Sequence, residues 1–141
     1  KCFFTILAEL LKSHKSNKTV EKIQLYLQEN FRGKTSIKDL EEIVFLSRNQ
    51  IINVFKEAFG VTPYRYITEL RLQEACELLL STTRTLSTIA ANVGYSDYSI
   101  FYKAFYAKYK ISPQEYRRLK NKNRSIVIGK DPSKPDDDIN L

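Results

Sequence analysis

GYSDYSIFYKAFYAKYKISPQEYR, running from Gly94 to Arg117, decides the fold, because a fainter copy, SRNQIINVFKEAFGVTPYRY from Ser47 to Tyr66, stands about fifty residues before it. A shift of fifty puts Phe55 on Phe105, Phe59 on Tyr109, Val61 on Ile111, Thr62 on Ser112, Pro63 on Pro113 and Tyr66 on Tyr116. Ahead of each of these helices the shift is forty-nine, which puts Ile37 on Leu86, Leu40 on Ile89, Val44 on Val93 and Ser47 on Ser96. Self-similarity at a fixed period marks a repeated supersecondary unit. The unit reads as helix, turn, helix: apolar residues recur three and four apart, and Gly94 sits where a tight turn is needed.

Working outward, Ser47 with Gln50 three residues on is a capping-box start, and Gly60 stops the helix that follows. In the second copy, Thr85 or Leu86 through Val93 gives a short helix, and Ser96 or Asp97 caps the next. There Ile100, Phe101, Ala104, Phe105 and Lys108 follow at helical spacing. Pro63 and Pro113 each open a further helix, since proline's missing N–H is not needed in a first turn. From Pro63 the helical pattern reaches about Leu80 with no internal Gly or Pro. A helix of that size spans roughly 25 Å. Major grooves on one face of a duplex recur every ~34 Å, so two units at its ends suit a rod such as DNA.

Upstream, Val20, Ile23, Leu27 and Phe31 mark a helix capped by Thr19 and closed before Gly33, and Ile37, Leu40, Ile43 and Val44 mark a short one after Ser36. Phe3, Leu7, Leu10 and Leu11 give an N-terminal amphipathic helix. The division expected is a linker helix over 1–18, a first lobe over 19–62, a connecting helix over 63–83, a second lobe over 84–120 and a tail over 121–141. That tail loses periodicity, contains Pro132 and Pro135 and ends in acids from Asp136 to Asp138, a composition that reads as disordered.

Composition narrows the function classes. The chain has 141 residues, 43% of them hydrophobic, and a net charge of +7, enough for one small domain or two lobes sharing a helix. The charge is uneven: residues 84–124 carry nine Lys and Arg against two acids, whereas residues 1–83 carry twelve against ten. Cations gathered on the second copy suit phosphate neutralisation. Cys2 and Cys76 are too few for a disulfide scaffold and lack zinc spacing, which points to a reducing cytoplasm. No apolar run is long enough for a membrane span. No nucleophile–base pair, carboxylate cluster or phosphate loop supports an enzyme, and no cofactor or metal is expected. With no methionine at all, the chain reads as a fragment of something longer.

These residues resemble the AraC/XylS family of bacterial transcription regulators over about 100 positions, from roughly Val20 to Leu119. The match includes Arg71, Leu72 and Ala75, then Ile89, Ala90, Gly94, Tyr95, Asp97, Phe101, Phe105, Pro113, Tyr116 and Arg117. The resemblance implies an all-α fold of about seven helices, two helix-turn-helix subdomains joined by a long central helix, with the N-terminal amphipathic helix in addition. It further implies that each lobe puts a recognition helix into one of two adjacent major grooves of double-stranded DNA. Carried over by position, Arg48, Asn49, Ile52 and Asn53 face DNA in the first lobe, and Tyr98, Ser99, Tyr102 and Lys103 in the second. Asn pairs with adenine, Lys with guanine or phosphate, and Ile or Tyr rings pack on thymine methyls. Lys34, Thr35, Ser36, Thr85, Ser87, Arg117 and Arg118 are phosphate candidates. As further partners the resemblance implies RNA polymerase and a missing upstream regulatory or dimerisation domain.

The first copy departs from the pattern. Glu41 stands where the second copy has the small Ala90, and Phe45 where it has Gly94. A bulky side chain does not take a positive backbone angle cheaply, so an altered turn or a wider interhelical angle is expected there. The rival to DNA binding is a helical protein-interaction module whose degenerate first lobe binds a protein partner; separately, Tyr102 and Tyr106 have a rival reading as exposed aromatics of a partner-binding helix.

Overall fold

The computed structural model describes residues 18–128, with side chains through Asn123. Within them lie seven helices and no strand: α1 (Lys18–Asn30), α2 (Ile37–Val44), α3 (Arg48–Phe59), α4 (Pro63–Ser81), α5 (Leu86–Asn92), α6 (Tyr98–Tyr109) and α7 (Pro113–Ile128). The expected amphipathic helix before Lys18 lies outside the described residues.

Each helix from α2 to α7 begins at a side-chain oxygen that accepts one of the first N–H groups. Ser36 takes that of Lys38, Thr62 that of Arg65, Thr85 that of Thr88, Asp97 that of Ser99 and Ser112 that of Glu115. At α3 the full capping box is present, Ser47 accepting from Gln50 while the Gln50 side chain accepts from the Ser47 N–H. Each such cap contributes on the order of 1 kcal/mol. They matter most for α2 and α5, of eight and seven residues, which are too short to persist alone.

Two cores form, and α4 serves both. Tyr66 and Ile67 join Val20, Ile23, Leu27, Phe31, Leu40, Ile51, Phe55 and Phe59 in the first lobe. Leu72, Ala75 and Leu79 join Ile89, Ala90, Val93, Tyr95, Phe101 and Phe105 in the second. The repeat is visible in ring geometry. Phe55, Phe59 and Tyr66 form a triad with centroids 4.6, 5.3 and 5.7 Å apart. Phe105, Tyr109 and Tyr116 form its copy at 4.6, 5.6 and 5.7 Å, with the closing Tyr edge-on to the first ring in both. Aligned positions fifty apart therefore correspond because each triad pins a recognition helix to the helix that follows it.

The altered turn expected in the first lobe is present, and two other expectations need correction. Phe45 does adopt the left-handed conformation, at φ 55 and ψ 36, and ends α2 with its N–H donated to the Glu41 carbonyl. Its ring is 89% exposed, so no side-chain clash adds to the backbone cost. The turn does differ from the second lobe's, where Gly94 reaches φ 111 and the Tyr95 N–H returns to the Ala90 carbonyl. Glu41 is not merely a bulkier Ala90: its carboxylate accepts the Arg48 N–H at 2.8 Å and so caps the recognition helix of its own lobe. Finally, the tail does not begin at 121, because α7 continues to Ile128; residues 129–141 lie outside the described residues.

Candidate nucleic-acid interface

Helix α3 buries Ile51, Phe55 and Phe59 and turns Arg48, Asn49 and Asn53 outward, with Ile52 half-buried at their edge. Spacings of three and four place these residues on one helical face. Helix α6 buries Phe101 and Phe105 and exposes Ser99, Tyr102 and Lys103, with Tyr98 half-buried. Of the eight positions expected to face DNA, Arg48, Asn49, Asn53, Ser99, Tyr102 and Lys103 are exposed, whereas Ile52 and Tyr98 are half-buried, Tyr98 packing against the second core.

The α6 face is aromatic. Tyr98 and Tyr102 lie 6.3 Å apart, and Tyr102 and Tyr106 stack at 6.1 Å with their planes 10° apart. Burial pushes the Tyr98 phenol above its ordinary value, with Tyr102 adding to the shift.

Both recognition helices start at an acid, Glu41 at α3 and Asp97 at α6. A carboxylate complements the positive end of a helix dipole, so those ends are already occupied and phosphate contacts have to come from elsewhere. Lys34 and Ser87 are exposed, and Thr35 is half-buried. Ser36 and Thr85 use their oxygens as caps, Thr85 also sharing a hydrogen bond with the Thr88 hydroxyl at 2.7 Å. Arg118 points outward beside Glu115, at 3.6 Å. Arg117 is a correction: its Nε donates to the Leu79 carbonyl at 3.0 Å and its guanidinium also reaches the Thr82 carbonyl at 3.3 Å. Those bonds tie α7 to the end of α4 and take Arg117 out of the phosphate set.

Charge is unequal between the lobes. Residues 19–62 hold six Lys and Arg and six acids, whereas residues 84–120 hold seven against two. Of the second set, Lys108 is paired with Glu69, while Lys103, Lys110, Arg118 and Lys120 are exposed. Among the described residues no group of His, Cys, Asp and Glu is placed to hold a metal ion, and no helix is long and apolar enough to cross a membrane. Cys76 is half-buried; burial raises its thiol pKa, opposed by hydrogen bonds with Tyr109 and Tyr116.

A family model described as a helix-turn-helix domain matches residues 40–119, more than half of the chain. A transcriptional regulator from Chromobacterium violaceum, described by its AraC-type DNA-binding domain, superposes with a TM-score of 0.66 at 27% identity, over 73% of this chain and 92% of that one. The chain belongs to the AraC-type helix-turn-helix family of transcription regulators. An uncharacterised HTH-type regulator of Bacillus subtilis, YisR, is 38% identical over 94 residues, which are 67% of this chain and 33% of that protein. The DNA-binding domain of AdpA, solved with a target DNA, shares the fold at a TM-score of 0.70 and 18% identity, over 74% of this chain and 95% of that one. The AraC-type domain described here spans about a third of the length of curated relatives such as YisR and the Escherichia coli melibiose operon regulator.

In this AraC-type domain two candidates extend the faces read from sequence. Lys56, exposed and four residues after Ile52, continues the α3 face. Tyr106, half exposed and stacked on Tyr102, continues that of α6. The helical period points to both, since each lies four residues beyond a position already on its face. Arg71 stands in the family match, but its role is not legible in the sequence, because it depends on a carbonyl forty residues away.

Proposed function

We propose that this chain binds double-stranded DNA sequence-specifically, one recognition helix in each of two adjacent major grooves, as the DNA-binding part of a bacterial transcription regulator with no catalytic role. The observation that carries it is the pair of repeated helices, each clamped by the same aromatic triad and each with an uncommitted polar or aromatic outer face. Asn49 and Asn53 offer paired donor and acceptor groups that fit adenine, with Arg48 and Lys56 beside them for guanine or phosphate. On α6, Ser99 and Lys103 flank the Tyr98, Tyr102 and Tyr106 stripe, whose faces suit thymine methyls. Lys34, Thr35, Ser36, Thr85, Ser87 and Arg118 hold the backbone. RNA polymerase and a regulatory or dimerisation domain elsewhere in the whole protein are its further partners; relatives about three times as long support the further domain.

Selection from random duplex DNA tests it. Enrichment of an asymmetric site with two boxes about one helical turn apart is expected. Failure to enrich any sequence at low salt would support the second reading, a protein-interaction module, which the exposed Phe45 ring at the first lobe's turn favours.

A further inference from the structure

Helix α4 changes partners along its length. Leu70 still packs on the first core, and Leu72 already belongs to the second. Between them, Arg71 turns its guanidinium into the seam. Its Nε donates to the Phe31 carbonyl at 2.6 Å, and its terminal nitrogen reaches the Gly33 carbonyl at 3.1 Å. Both acceptors follow the end of α1, where carbonyls lack partners within the helix. The same guanidinium lies 5.3 Å from the ring centroid of Tyr95, in the turn between α5 and α6. Partial burial lowers its pKa, opposed first by Tyr95, yet a guanidinium stays charged at any ordinary pH.

The second lobe closes on this group without a gap. A Cβ built on Gly94 would come within 2.7 Å of the Phe31 carbonyl oxygen and 2.8 Å of the Arg71 Nε. Gly94 therefore serves two ends, a positive φ of 111 and a close approach between lobes. Beyond Arg71 on α4, Glu74 takes Arg32 through three contacts of 2.7 to 2.9 Å, and before it Glu69 takes Lys108 of α6. Tyr95 is packed on Phe101 at 5.6 Å, so a shift of the turn carries α6 with it. The end of α1 is tied to α3 through the first core. One side chain thus links the supports of both recognition helices.

We propose that the Arg71 junction is a spacing gauge: it holds the two recognition helices at one separation and rotation, so that the protein accepts its two DNA boxes at a single spacing. The proposal rests on the DNA reading above. One base pair moves a box by about 3.4 Å along the duplex and about 35° around it. A rigid seam cannot follow such a step without giving up contacts at one box. A loosened seam, pivoting about α4, can. Arg71 acts as a positioning residue; it does not touch DNA.

The test uses the full chain and its Arg71→Met and Arg71→Lys variants in duplex selections, followed by titrations on the enriched two-box duplex, on versions with one base pair added or removed between boxes, and on each box alone. Methionine keeps the apolar stem and loses every donor; lysine keeps the charge but cannot span both carbonyls in one plane. Wild type is expected to lose at least about tenfold for either one-base-pair change. Arg71→Met should select the same box sequences, bind single boxes within about twofold of wild type, and lose less than about threefold on changing the spacing; Arg71→Lys should fall between. An unchanged spacing penalty in either variant overturns the gauge, as does an equal loss on single boxes and on every spacing, which is the signature of a general loss of stability. If Arg71→Met does not fold, as judged by helical circular dichroism, Arg71→Lys decides alone. No enrichment by wild type would instead overturn the DNA reading itself.

Discussion

At Phe45 and Lys110 the backbone takes positive φ values of 55 and 64, and the repeat partners of these two positions are Gly94 and Gly60. Each lobe thus has one glycine and one strained residue at its two left-handed sites, in opposite order. A left-handed non-glycine residue costs about 1 kcal/mol or more, and the exposed Phe45 ring recovers none of it through packing within the described residues. Phe45→Gly should raise unfolding stability by up to about 1 kcal/mol in urea titrations, whereas a loss larger than that would mean the ring is held by contacts elsewhere in the chain. A residue kept in strain while fully exposed fits a surface reserved for a partner. On α6, replacing thymine by deoxyuridine in the second box should weaken binding about fourfold for each methyl that packs on a Tyr ring, from about 0.8 kcal/mol per buried carbon. Tyr102→Ala should abolish that difference at one position. Cys76 belongs to the same scale: a raised thiol pKa leaves it protonated near neutral pH. In a Cys2→Ser background its alkylation should be many-fold slower in the folded chain than in urea, with the gap narrowing as pH rises towards the shifted value.

At the scale of elements, the start of α3 shows how far a sequence comparison reaches. Ser47 and Gln50 declared their capping box outright, because both partners lie within one turn. Glu41 looked like a defect when set against Ala90, since its acceptor role depends on how α2 folds back onto Arg48. Glu41→Ala should therefore cost roughly 1 kcal/mol in stability despite restoring the small residue; a gain in stability would mean that the capping bond contributes nothing. The aromatic triads were legible as spacing but not as geometry. Phe105→Ala should cost about 3 to 5 kcal/mol, and with two rings left facing a cavity the second lobe should lose its near-ultraviolet dichroism. The extension of α7 was illegible for a simple reason. Its amphipathic pattern fades after Tyr116, yet no Gly or Pro intervenes before Gly129, and Leu, Lys and Arg sustain a helix without a buried face. Arg117 misled differently, since a cation near a helix start reads as a phosphate ligand until the carbonyls of Leu79 and Thr82 are seen around it.

For the whole molecule, the repeat gives two lobes of one design with unequal charge, near neutrality over residues 19–62 and a net of +5 over residues 84–120. The second lobe should supply most of the salt-sensitive affinity and the first a larger share of the sequence choice. In binding titrations against salt, Lys103→Ala with Arg118→Ala should flatten the logarithmic slope by about 1 to 2. Arg48→Ala should flatten it by less; the reverse order would exchange the roles of the lobes. The central claim is that both helices enter the duplex from one face, one turn apart. Hydroxyl-radical footprinting on the enriched duplex addresses it most directly. Two protected tracts centred about 10 base pairs apart on one face are expected, the first weakened by Asn53→Ala and the second by Lys103→Ala. A single protected tract, or two tracts on opposite faces of the helix, would contradict it.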